Sequence, residues 1–187
     1  MEPVIRFASA KEWERWLARN HNGATGIWLR ISKKDSKLKS VTGAEALDVA
    51  LCYGWITGQA KRGDEASVLW RFCPRRPKSI WSKLNTMHAE RLIREGRMKP
   101  AGLEQIKAAK LDGRWARAYH PPSTATLPRD FLHMVNRNEK AKAFLKTLNR
   151  QNRYAIIFRL ATTKDPARRK RKIYAMIERL EEGRAFY

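Results

Sequence analysis

The sequence predicts an α+β fold that is mostly helical. A small antiparallel sheet belongs to an N-terminal lobe, and a C-terminal helical module follows. Three observations carry this. Short runs of period-two alternation occur only before residue 74. Apolar residues recur at i, i+3, i+4 through the rest of the chain. A Pro-rich stretch, Tyr119 to Pro128, separates the two regions, giving an expected division into 1–118, a linker at 119–128 and 129–187.

Ser9 and Glu12 form a capping-box pattern ahead of a helix carrying Trp13, Trp16 and Leu17. Ile27, Leu29 and Ile31 alternate as one side of a strand. Thr42 and Glu45 repeat the capping pattern before a helix with Leu47, Ala50, Leu51 and Gly54 on its apolar face. Residues 55–60 and 67–73 read as strands joined by a turn through Gly63. Pro74 and Pro77 then break the chain, since each removes an amide donor and restricts its predecessor. Ser79 is expected to cap a helix bearing Ile80, Trp81, Leu84, His88 and Leu92, closed by Gly96. Pro100 opens a further helix, with Leu103, Ile106 and Leu111 inward.

Beyond residue 128 every segment reads helical. One stripe is Ala141, Phe144, Leu145 and Leu148; the next is Tyr154, Ile157, Phe158 and Ala161. Asp165-Pro166 is an N-cap followed by proline at the first helical position. Ile173, Met176, Ile177 and Leu180 give the last apolar face, ended by Gly183.

Charge narrows the partner class. The chain of 187 residues holds 40 Lys+Arg against 18 Asp+Glu, a formal net charge of +22. Such an excess repels itself in a compact state and points to an anionic partner: nucleic acid, an acidic membrane surface or an acidic protein. The sharpest run is Arg168, Arg169, Lys170, Arg171 and Lys172, at the positive end of its helix dipole, where an anion would relieve the repulsion. The alternative is a solvated face with long stems lying over the core. A second patch interleaves Arg71, Arg75, Arg76, Lys78 and Lys83 with Trp70, Phe72 and Trp81. Its arginines suit phosphate and an exposed Trp81 or Trp55 would stack on a base, whereas the same aromatics also fit ordinary core positions.

Catalytic patterns are weak. Cys52 lies on an apolar helix face; Cys73, beside Arg75 and Arg76, is the better reactive thiol, but no base is assignable to it. The four histidines share no metal spacing, and there is no phosphate-binding glycine loop and no GxSxG. No catalytic residue, metal or cofactor is therefore assigned. The chain opens without a basic segment followed by an apolar one, and no apolar run approaches the roughly 18 residues that span a bilayer. With two cysteines and no CxxC, a reducing cytoplasmic setting is expected.

Leu51-Cys52-Tyr53-Gly54-Trp55-Ile56-Thr57-Gly58-Gln59 resembles the Gly-Trp-Ile-Asp-Gly signature of the YdeI/OmpD-associated, bacteriocin-protection proteins. Phe72 to Asn85, Gly96 to Gly102, Asn152-Arg153-Tyr154 and Ala161 to Arg171 resemble further blocks of that family, in order. The resemblance implies a role in resistance to cationic antimicrobial peptides and an association with an outer-membrane porin, with no established reaction. Thr57 stands where the family pattern has Asp, so a carboxylate is missing there. The resemblance marks Gly54, Trp55, Thr57 and Gly58 as a cleft, with a tight helix-to-strand turn as the alternative. The functional expectation is a non-enzymatic binder of a polyanion, RNA or DNA. A protection factor with a protein or anionic-lipid partner is the alternative, and an enzyme acting on an anionic small molecule is a further one.

Overall fold

A computed structural model describes residues 2–187. They fall into two compact units: residues up to Trp81 with Asn85–Arg117, and Ser82–Leu84 with Ala118–Tyr187.

The first unit begins with β1 (Val4–Ile5), α1 (Ala10–Asn20) and β2 (Ile27–Ser32). It continues through α2 (Gly43–Cys52), β3 (Trp55–Arg62) and β4 (Ser67–Pro74). The four-stranded sheet has the order β1-β2-β4-β3. β4 pairs antiparallel with both β2 and β3, as expected from the alternation. β1 corrects the purely antiparallel expectation: it pairs parallel with β2, Val4 beside Trp28. The helix α1 supplies the crossover that parallel neighbours need.

Ile27, Leu29 and Ile31 of β2 are buried, as their alternation requires. Over them lies an aromatic cluster centred on Trp13, with Trp16 stacked at 5.4 Å and Phe7, Phe72 and Trp55 within 6.2 Å. Such pairs contribute about 0.5–1.5 kcal/mol each beyond their buried area. The Thr42–Glu45 capping box is complete and starts α2.

Two helices follow, α3 (Lys83–Arg94) and α4 (Pro100–Leu111). The expected start of α3 at Ser79 is wrong by about one turn. The Nη1 atom of Arg75 donates to the Ile80 carbonyl and that of Arg114 donates to the Ser79 carbonyl. Guanidinium groups thus occupy acceptors that helix amides would use. Ile80 and Leu84 are exposed; Thr86, Ala89 and Leu92 make the buried face. In α4, Leu103 and Leu111 are exposed, and the inward face is Gly102, Ile106 and Ala109. Gly102 decides this: a Cβ there would stand 2.3 Å from the Cys52 carbonyl oxygen, so only glycine lets α4 approach the end of α2.

The second unit contains α5 (Arg129–Val135), α6 (Glu139–Thr147), α7 (Arg150–Ala161) and α8 (Pro166–Glu181). Asn138, Asn149 and Asp165 cap α6, α7 and α8 by accepting an amide proton three residues on. Each such cap contributes about 1 kcal/mol, which matters for helices this short. Phe131, Val135, Leu145, Ile156, Leu160 and Leu180 form the core. The face of α7 differs from the stripe expected at Tyr154, Ile157, Phe158 and Ala161. Its buried residues are Asn152, Ala155, Ile156 and Leu160. The Oδ1 atom of Asn152 accepts the amides of Phe186 (2.6 Å) and Tyr187 (2.9 Å), tying the last residues to the unit. Residues 119–128 are fastened to this unit as well: Arg150 donates to the Pro122 carbonyl and the Tyr154 hydroxyl to the His120 carbonyl.

Candidate anion-binding surface

The sequence-predicted cations separate into held and open groups. Arg71 is held, its Nε and Nη2 donating to the two carboxylate oxygens of Glu2 at 2.7 and 2.5 Å. Those bonds keep the Glu2 carboxyl below the usual carboxylate range. Arg75 is 5 % exposed, and its Cζ lies over the Trp81 ring, 3.5 Å from the centroid. Trp81 itself is 2 % exposed and packs on Trp115 at 4.8 Å. Arg75 and Trp81 therefore do not face solvent, which corrects their assignment as a phosphate contact and a stacking residue. Arg76 and Lys78 are exposed, Lys78 in the left-handed region at φ 67°. Lys83 is half-buried and belongs to the second unit.

The residues marked as a cleft form a packed turn. Trp55 is 1 % exposed, its indole N–H donating to the His21 carbonyl at 3.1 Å, so it cannot stack on a base. Gly54 has φ +73° and sits against the Ala101 carbonyl of α4, where any side chain is strained. Thr57 is half-buried and Gly58 lies at an irregularity in the β3–β4 register.

In α8 the five-cation run divides again. Arg169 donates to both oxygens of Asp130 and to the Leu160 carbonyl. Those bonds, with the Phe131 amide, pull the Asp130 carboxyl below its ordinary range. Lys172 donates to the Thr163 hydroxyl at 2.7 Å. Arg168, Lys170 and Arg171 project exposed. Beside them Lys164, Asp165, Arg168 and Lys172 line a hollow of about 390 Å³ with Thr162 and Thr163. The opposite end of α8 is acidic, with Glu178, Glu181 and Glu182. Cations at the N-terminal end and acids at the C-terminal end both oppose the helix dipole. Asp165 at the N-cap and Arg179 in the last turn offset part of this order.

Two features escaped sequence reasoning. Arg114 is 6 % exposed, paired with Asp112, and locks the 75–81 turn. Asp48 of α2 accepts from Arg91 and lies 3.0 Å from Nδ1 of His88, both on α3. Both depend on partners more than 30 residues away, which no local pattern announces. Burial pushes the Cys52 thiol up to about 11, so it is an inert core group. Among the described residues no three His, Cys, Asp or Glu side chains converge into a metal site. Among them, too, no helix is long and apolar enough to cross a membrane.

A family model described as a domain of unknown function, DUF8412, matches residues 5–105. The chain belongs to the DUF8412 family. A second model, described as "Bacteriocin-protection, YdeI or OmpD-Associated", matches residues 124–183, in keeping with the resemblance read from the sequence. The glycine-tryptophan turn and the Pro-Arg-Arg-Pro block thus fall within the DUF8412 match, and α5 to α8 within the bacteriocin-protection match. No curated protein and no solved structure matches the chain.

Proposed function

We propose that this DUF8412 member is a binding protein for a polyanion, RNA or DNA, held mainly through backbone phosphates. The observation that carries the reading is the charge order of α8. Exposed Arg168, Lys170 and Arg171 lie in the first two turns of α8, Arg168 in the first turn, where positive charge opposes the helix dipole, in a chain of net charge +22. A phosphate placed there would meet guanidinium donors suited to two-pronged bonding and would relieve the repulsion. Arg76 and Lys78 add exposed positive charge in the first unit. Contacts of this kind read backbone, so affinity falls with salt and sequence preference is small.

The test is fluorescence anisotropy of the nuclease-treated protein with labelled RNA and DNA across a salt series. The variant is Arg168→Glu/Lys170→Glu/Arg171→Glu. Its affinity should fall steeply, and its salt slope should flatten by roughly 0.7–0.9 for each phosphate that is no longer neutralised. Unaltered binding by the variant, or none by the parent protein at low salt, refutes the reading. A second reading, protection against bacteriocins through an anionic membrane surface, draws on the match at residues 124–183. Sedimentation of the protein with anionic vesicles but not with neutral ones would favour it.

A further inference from the structure

The second unit contains a groove of about 720 Å³ between the 122–127 segment and α7, at the scale of small-molecule sites (about 300–1,000 Å³). Its apolar lining is mostly aliphatic, Leu127, Leu132, Leu148 and Ile157, with the ring of Tyr154 beside them. Three exposed cations also line it, Lys146, Arg150 and Arg153, and no acidic residue does.

The groove explains the second apolar stripe of α7. Asn152, Ala155, Ile156 and Leu160 satisfy the core, yet Tyr154 and Ile157 keep apolar surface on an adjoining face. The walls are braced. Thr124 and Ala125 amides donate to the Pro121 carbonyl, and the Tyr154 hydroxyl to the His120 carbonyl. Arg150 and Arg153 each commit one nitrogen to a main-chain carbonyl, of Pro122 at 3.1 Å and Leu145 at 3.3 Å. A guanidinium carries five N–H groups, so each is positioned and still has donors to offer.

We infer that this groove binds a single-chain alkyl anion, a monomeric amphiphile with a carboxylate or phosphate head. The cations select the head and the leucine and isoleucine side chains take the chain. A nucleobase fits less well, because the lining offers branched aliphatics where stacking needs an aromatic face, and Tyr154 is engaged by Phe158 and His120. A bilayer surface fits less well, because the apolar residues line a recess and membrane insertion needs a protruding apolar edge. The inference is independent of the polyanion reading, which rests on Arg168, Lys170 and Arg171.

Isothermal titration with octanoate, decanoate, 1-octanol and acetate, all below micelle formation, tests it. Decanoate should bind one to one and saturably, roughly tenfold more tightly than octanoate, since two methylenes leave water. Acetate should show no saturable binding. Arg150→Gln/Arg153→Gln, both substitutions at exposed positions, should weaken decanoate at least tenfold while leaving 1-octanol unchanged. Arg168→Glu/Lys170→Glu/Arg171→Glu should leave decanoate binding intact. The proposal is overturned by decanoate binding no better than acetate, by undiminished affinity in the Arg150/Arg153 variant, by an equal fall in the α8 variant, or by binding to micelles or vesicles alone.

Discussion

Adjacent arginines in the Pro-Arg-Arg-Pro turn should differ sharply in what they contribute. Arg75 is buried, its Cζ 3.5 Å from the Trp81 ring centroid, and donates to the Ile80 carbonyl at 3.2 Å; Arg76 is exposed. Arg75→Met keeps most of the side-chain volume and removes the charge and the donors. A desolvated cation–π contact contributes about 2 kcal/mol. A hydrogen bond from a charged group adds about 1.5–3 kcal/mol. The expected loss is therefore about 3.5–5 kcal/mol. At roughly 3 °C per kcal/mol for a chain of this size, that is a fall of about 10–15 °C in Tm. Arg75→Lys restores a charge without the planar fork and should recover less than half. Arg76→Met should stay within about 0.5 kcal/mol of the parent. Urea unfolding followed by far-ultraviolet circular dichroism measures all three. If Arg75→Met costs under 1 kcal/mol, or Arg76→Met costs as much, Arg75 does not hold the turn.

Other expectations concern the cysteines, the acid limit and the C-terminal residues. Iodoacetamide at pH 8.5 should label half-buried Cys73 and spare Cys52, whose thiol is pushed up to about 11 by burial; two adducts on native protein, seen by mass spectrometry, would contradict this. Asp130 is held below its ordinary pKa, chiefly by Arg169, so its pairing stabilises the fold above the unfolded value of about 3.9 and is lost as pH falls through the lower folded value. Asp130→Asn should therefore flatten the loss of stability between about pH 5 and 2 relative to the parent. Parallel curves in urea melts would show that the pair is immaterial. Asn152→Ala leaves the Phe186 and Tyr187 amides without their acceptor and should cost about 1–3 kcal/mol. Faster amide exchange at residues 186 and 187 is its local signature, and unchanged exchange would show that Asn152 does not anchor them.

Local rules reached the elements whose partners are near in sequence. The Thr42–Glu45 cap, the Ile27–Leu29–Ile31 alternation and the Asp165-Pro166 start each depend on a few neighbouring residues, and each stands as read. What eluded those rules depends on distant partners. Trp81 leaves the helix because Arg75 and Arg114 capture the preceding carbonyls. Leu103 yields its inward place to Gly102 because another helix end needs the room. β1, two residues long, exists only through Trp28 and Leu29 across α1. The site followed the same division. The cation run of α8 was legible as charge, but which members stay open depended on Asp130 and Thr163. The groove was legible only as an extra apolar stripe on α7, read there as core.

The division of aromatic residues has a spectroscopic consequence. Trp13, Trp16, Trp28, Trp55, Trp70, Trp81 and Trp115 all belong to the first unit, while four of the five tyrosines, from Tyr119 onward, belong to the second. Indole emission excited at 295 nm therefore originates in the sheet-containing unit. Far-ultraviolet ellipticity reports on both units, since α1, α2 and α4 lie in the first and α5 to α8 in the second. Where ellipticity and indole emission part company along a denaturant series, the chain is unfolding in separate steps, and the indole signal dates the step that belongs to the first unit.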